Sequence, residues 1–282
     1  MNTIIAPRLQ LIEIEDQPWC PSWLRAHSCA SLARMWRTST SSAGSPSTQA
    51  CDILLTRLGG LCQASQFTYV DACAGAGGPT PLMEATLNAR LVEAGYKPVQ
   101  FVLTDLYPDH DAWKRITSRS ENVSAIWEPV DATQPRKMAP KGSKECRIFN
   151  LCFHHFDDRR AREVLKSAVQ NTDAFLIFEM THRTPTAFMN VTMVIFSTYI
   201  FSLVDWWFSP LVLLFTYLIP LIPLYYAIDG LASCFRTRTP EETWKLLPDE
   251  KELDLSLWRF ESGRALVLPP FGTLYWYSGV KS

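Results

Sequence analysis

The residues best placed to do chemistry are Asp71-Ala72-Cys73-Ala74-Gly75-Ala76-Gly77-Gly78, between an apolar, β-prone run at 67–70 and Pro79-Thr80-Pro81, which suits a helix start. Beyond the prolines, Leu82, Ala85, Thr86, Ala89 and Val92 recur at helical spacing. A strand, a glycine turn and a helix in that order offer bare backbone N–H groups to a nucleotide-type ligand. Two further acids follow apolar runs. Asp105 and Leu106 come after residues 99–103, and Asp131-Ala132 comes after a third candidate strand at 124–130. Past the next apolar run lies the pair His154-His155, the side chains whose unperturbed pKa is nearest neutrality.

The position of Asp71 narrows the choice of ligand. It stands immediately before the glycines, where it would repel a pyrophosphate but receive the cationic amino-acid end of S-adenosylmethionine. Asp105 is placed to accept hydrogen bonds from both ribose hydroxyls, and Asp131 to accept from the adenine amino group. S-adenosylmethionine is therefore expected in preference to NAD.

With these residues in view, the chain resembles the class I S-adenosylmethionine-dependent methyltransferases of small-molecule O-methyltransferase type. The run Arg147-Ile148-Phe149-Asn150-Leu151-Cys152-Phe153-His154-His155-Phe156 is similar to their fourth strand and the segment after it. Residues 174–179 resemble the fifth strand, residues 229–236 and Thr239-Pro240-Glu241-Glu242 a later helix and capped turn, and residues 257–261 and 273–278 the closing antiparallel pair. The chain departs from the usual Asp-x-Gly-x-Gly-x-Gly where Cys73 stands for the first glycine, a small residue that tightens the turn. The resemblance implies an α/β, Rossmann-like sheet of seven strands. It also implies cofactor contacts from Asp71, Cys73, Gly75, Gly77, Asp105, Leu106, Asp131, Ala132 and Asn150.

Four regions follow: an N-terminal helical cap and linker (1–65), the cofactor-binding core (66–183), an insertion (184–228) and the C-terminal part of the fold (229–282). The cap reads as a helix opening at Trp19-Cys20-Pro21-Ser22-Trp23, a Ser/Thr-rich connection at 38–49 and a second helix over 50–65. Its first helix presents Leu24, Ser28, Ser31, Leu32 and Met35 on one face. The resemblance implies that such helices roof the active site, bringing Trp19, Trp23 or His27 to the substrate; packing at a domain edge is the alternative.

At 282 residues and 47% hydrophobic, the chain can bury a full core. A net charge of −1 gives no basic footprint, so no nucleic-acid partner is expected. Eight cysteines without CxxC or metal spacing read as reduced thiols, and no metal site is expected. Neither sequon, at Asn122 or Asn190, argues for glycosylation, and the first residues lack the apolar core of a signal peptide.

In the insertion Asp205 is the only charged side chain among residues 184–228. It divides the stretch into two apolar arms, 187–204 and 209–228, each close to the length of a bilayer-crossing helix. A transmembrane-type helical hairpin is expected, with Trp206 and Trp207 at its tip. His182 and Arg183 before it and Arg236 and Arg238 after it would form a cytosolic base, at the endoplasmic reticulum membrane in a eukaryote. Helices that cap a greasy pocket without entering lipid would show the same sequence.

Methyl transfer is displacement at an activated sulfonium, so the protein has to orient the acceptor and, for a hydroxyl, remove a proton. One of His154 and His155 would serve as that base; a purely structural pair is the alternative, and a carboxylate acceptor would need no base. The expected function is O-methylation of an apolar small molecule, a secondary metabolite or lipid-like acceptor, at a membrane. A fold relative that binds S-adenosylmethionine without transferring methyl and a membrane-anchored nucleotide-binding protein are the other readings.

Overall fold

The computed structural model describes residues 3–40, 44–134, 136–249 and 251–282. Three helices lead in: α1 (Ser22–Arg37), α2 (Pro46–Leu58) and the short α3 (Leu61–Ala64). The second helix expected over 50–65 starts earlier and breaks at Gly59 and Gly60, both at positive φ, which ends α2 with a left-handed cap. The alternation that follows is β1 (Phe67–Ala72), α4 (Thr80–Glu93), β2 (Phe101–Thr104), α5 (His110–Thr117), β3 (Val123–Ala125), β4 (Lys144–Asn150), α6 (Asp158–Asn171) and β5 (Ala174–Glu179).

After β5 come α7 (Pro185–Asp205), α8 (Pro210–Leu213), a π-turn at Leu214–Leu218, α9 (Leu221–Arg236), α10 (Pro240–Trp244), and the strands β6 (Trp258–Leu268) and β7 (Gly272–Lys281). Together the strands make a seven-stranded sheet in the order β3-β2-β1-β4-β5-β7-β6. β7 runs antiparallel to β5, and β6 antiparallel to β7, on an otherwise parallel sheet.

β1 and β5 are buried along their whole length, as strands covered on both faces must be. On one face α2, α4 and α5 cover the sheet through Leu54, Met83, Leu87 and Trp113; on the other α6 packs Val164 and Leu165 against Phe149 and Phe175. Strand order reverses between β1 and β4, so the crevice outside their carboxyl ends is where a ligand fits.

Two local expectations change. The third strand is only Val123–Ala125, and residues 126–130 leave the sheet. In α4 the inward face is Met83, Leu87 and Leu91, while Val92 is 58% exposed, so the stripe through Leu82, Ala85 and Ala89 looks outward. A helix of mostly small and apolar residues satisfies more than one helical stripe, and contact with the sheet selects the one with the larger side chains.

The insertion folds as two arms, but unequally. α7 is one unbroken apolar helix, whereas the second arm bends by 74° between the π-turn and α9, at Ile219-Pro220. Residue 228 lies inside α9, which runs on to Arg236.

Burial along α7 is inverted. The inward residues of α7 are Ala187, Val191, Thr198 and Ser202, and Ser202 meets Thr216 of the other arm at 3.0 Å between hydroxyl oxygens. Phe196, Ile200, Leu203 and Val204 face outward, as do Leu218 and Leu224. A Cβ on Gly230 would stand 2.9 Å from Val191, so the bare glycine lets α7 and α9 approach.

Helix α1 lies against both arms. Leu24 packs with Val212, Ile222 and Tyr225; Trp23 stacks on Phe215; and Arg34 pairs with Asp205 and sits over the Phe201 ring at 4.1 Å.

Candidate active site

The glycine loop rises from β1 with Cys73 at φ 65° and Gly75 at φ 51°. Cys73 therefore holds the left-handed conformation a glycine would take freely, at a cost of about 1–2 kcal/mol. The remaining glycines serve two purposes. A Cβ on Gly77 would meet Ile116 at 2.3 Å, a packing constraint, whereas Gly75 and Gly78 face open space within 4 Å.

The loop is pinned from β2 and α5. Ala74 N–H donates to the Thr104 carbonyl at 2.9 Å, Gly75 N–H to Asp105 Oδ2 at 2.8 Å, and Trp113 Nε1–H to the Gly75 carbonyl at 2.8 Å. Trp113 escaped sequence reasoning: it belongs to no motif, and only its place on a helix with apolar and charged faces hinted at burial.

Asp71 lies under this loop, 1% exposed. One carboxylate oxygen accepts from Thr80 Oγ1, and the other from Asn150 Nδ2 at 3.1 Å. Burial pushes its pKa up to about 7, against the hydrogen bonds from Thr80 and Asn150. Asp71 is thus the anchor beneath the loop, and it fixes the amide of Asn150. Asn150 Oδ1 is buried with no hydrogen-bond partner, an acceptor left bare at the end of β4.

Asp105 Oδ1 accepts from Tyr107 N–H at 2.7 Å, and burial raises its pKa. Val130 N–H donates to the Asp105 carbonyl at 2.8 Å, which brings Asp131 alongside despite the short β3. Asp131 Oδ1 closes its own turn by accepting from Thr133 N–H and Oγ1. Ala132 is buried against the α6 side of the sheet, and Leu106 is partly exposed beside Asp105.

His154 and His155 form a 3-10 turn, Phe153–His155, just beyond β4, with ring centroids 4.3 Å apart. Glu179, the last residue of β5, takes both the His154 N–H at 3.0 Å and its Nδ1 at 2.7 Å. In a neutral ring that bond places the proton on Nδ1 and leaves Nε2 as the lone pair. The nearest acid to Nε2 is Glu13, at 3.7 Å, beyond hydrogen-bonding reach.

His155 Nδ1 stands 2.9 Å from Asp16 and 3.3 Å from Glu13, but its N–H is not aimed at either oxygen. Burial alone would lower the His155 pKa; Asp16 and Glu13 overcome it and lift the value to about 9. Asp16 in turn is held well below the usual carboxylate range, its burial outweighed by His155 and Arg236.

Glu13 and Asp16 belong to the chain leading into α1, which crosses over the histidine turn. Arg236 clamps it there, donating to the His154 and His155 carbonyls at 3.1 and 2.9 Å and to Asp16 at 2.9 Å. Sequence reading missed Glu13, Asp16, Glu179 and this role of Arg236, because contacts between separate elements, 25 residues apart for Glu179 and 81 or more for the others, leave no local pattern. The roof it expected from Trp19, Trp23 and His27 is different in kind. Trp19 is 66% exposed, Trp23 packs on the insertion, and His27 Nδ1 lies 3.1 Å from Tyr226 Oη.

No family model matches the chain, and no curated protein does. Among solved structures it is similar to the magnesium protoporphyrin IX methyltransferase of Synechocystis PCC 6803, at 8% identity over 96% of this chain and 99% of that one, TM-score 0.48. It is similar to the methyltransferase domain of a bacterial Hen1 at 11% identity, over 83% and 98%, TM-score 0.46. An O-methyltransferase family protein from Burkholderia thailandensis is 16% identical over 83% and 56%, TM-score 0.43. These likenesses are distant. The strand order, the antiparallel β7 and the glycine loop after β1 define the fold, which is the Rossmann-like fold of class I methyltransferases.

Proposed function

We propose that the protein is an S-adenosylmethionine-dependent O-methyltransferase acting on an apolar small molecule at a membrane surface. The observation that carries the cofactor is the bare, buried Asn150 Oδ1, on the side chain that donates to Asp71 and at the end of β4, the strand paired with the one that feeds the glycine loop. A buried acceptor without a partner costs about 1–3 kcal/mol, and a cationic donor seated beside Asp71 would supply the missing bond. The amino group of S-adenosylmethionine fits that description; a pyrophosphate does not. Asp105, with Gly75 and Leu106 beside it, takes the ribose, and Asp131 and Ala132 flank the adenine.

The cofactor supplies an activated methyl group; the chain orients the acceptor and handles its proton. In the simplest form of the mechanism, the His154 lone pair that Glu179 holds in place accepts the acceptor's proton. His155, already cationic near neutral pH, does not.

The membrane reading is supported by the inverted burial of α7 and by the exposed Leu218, Leu224, Ile228 and Leu231 of the other arm. Large apolar side chains turned outward around a seam of Ser, Thr, Ala and Gly are the pattern of helices that face lipid. Helix α1, with Arg25, Arg34 and Arg37, lies along both arms as far as Asp205, which favours seating in the interface over crossing it. An acceptor dissolved in lipid would then reach the site from the apolar face. Incubation of the purified protein with labelled S-adenosylmethionine and a lipid extract of the source tests the reading: label in an apolar product supports it. Binding of S-adenosylhomocysteine without transfer to any fraction would favour a binding protein of the same fold.

A further inference from the structure

The geometry points to a binding site for a divalent transition-metal ion made by Glu13, His154 and His155. One ligating atom from each lies within 4.8 Å of the other two. Glu13 Oε1 is 3.7 Å from His154 Nε2, and Glu13 Oε2 is 3.3 Å from His155 Nδ1. Ligands bound at about 2.0–2.2 Å in a tetrahedron stand about 3.4 Å apart, so the cage has the right size with little movement.

Three independent features prepare these atoms for an ion. Glu179 fixes the His154 tautomer by accepting from Nδ1, the carboxylate–histidine arrangement that orients a metal-bound imidazole. His155 Nδ1 is buried without a properly aimed hydrogen bond. Glu13, Asp16 and Glu179 surround the two rings, and the fixed cation touching them is Arg236, which approaches Glu13 and Asp16 from α9. An ion bound here would displace the proton that His155 otherwise carries and take over its charge among the acids, with Asp16 Oδ1, 2.9 Å from His155 Nδ1, at its rim. Two imidazoles select zinc, cobalt, iron or nickel over magnesium and calcium, which prefer all-oxygen cages.

An ion there would lower the pKa of an oxygen bound to it, a second use for the His154 lone pair. That catalytic meaning rests on the function proposed above; binding of the ion does not. The test is titration of the full chain, stripped with chelator, with cobalt(II), followed by visible ligand-field absorption and by metal content after gel filtration. One cobalt per chain is expected. Glu13→Gln and His155→Gln should each remove the absorption, and Glu179→Gln, which touches no ion, should weaken cobalt binding by about 10–100-fold. S-adenosylhomocysteine titration of each variant reports that the fold is intact. Absence of the absorption in the parent, or its persistence in both ligand variants, overturns the metal site and leaves direct proton transfer to His154 standing. Failure of the parent to bind S-adenosylhomocysteine would instead count against the proposed cofactor and say nothing against the ion.

Discussion

Around the glycine loop, large apolar side chains turn inward: Tyr69, Phe101, Trp113 and Phe149 are all within 1% of complete burial. In α7 the inward positions belong to Ala187, Val191, Thr198 and Ser202, the last facing Thr216 of the other arm, and Phe196 is 67% exposed. The first region has the burial of a water-soluble core, whereas α7 turns its large apolar side chains outward. The two regions join where the N-terminal segment is clamped over the histidine turn by Arg236; under the proposed function the first is the catalytic half and the second a roof that faces lipid.

The largest effect should come from the junction. His154→Gln keeps the size of the side chain but removes the lone pair, and turnover is expected to fall by roughly 10²- to 10⁴-fold with S-adenosylhomocysteine affinity unchanged. Equal turnover in parent and variant would detach the histidines from the chemistry.

Next comes the roof. Changing Phe196, Ile200 and Leu203 together to Ser removes about 1.5–3 kcal/mol of apolar transfer energy at each position. Liposome flotation should drop more than 100-fold while the melting temperature stays close to that of the parent. A large loss of melting temperature with unchanged flotation would mean that these side chains pack against protein.

In the cofactor half, Asp71 makes binding depend on pH. With a folded pKa of about 7 against an unfolded value of about 4, its neutral form stabilises the fold below pH 4, and that contribution is lost as the pH rises through 7. A cationic ligand favours the ionised form, so affinity should rise between pH 6 and 8, with proton release detectable in buffers of different ionisation enthalpy. In Asp71→Asn the slope should vanish. The smallest effect is at the loop itself: Cys73→Gly relieves a left-handed φ and should raise stability by at most about 1 kcal/mol, read from chemical denaturation.

How far these regions could be read in the sequence differs for a physical reason. β1 and the glycine turn stand where the local pattern placed them, and the Thr239 capping box and β5 where the resemblance did. Asp71 was located but not its depth, since the bonds from Thr80 and Asn150 that bury it come from other elements. The apolar arms were legible from composition, while the bend at Ile219-Pro220 and the inward seam of hydroxyls depend on how the arms meet. The roles of Glu13, Glu179 and Arg236 were not legible, because each reaches the histidines from a different element of the fold.

The most direct test of the cofactor assignment, on which the rest depends, is isothermal titration of the full chain with S-adenosylhomocysteine and with NAD, parent beside Asp105→Ala. The parent should bind one S-adenosylhomocysteine and no NAD, and Asp105→Ala should bind it about 1.5–3 kcal/mol more weakly, the loss typical of hydrogen bonds to a charged group. Binding of NAD in its place, or equal affinity in parent and variant, would contradict the account.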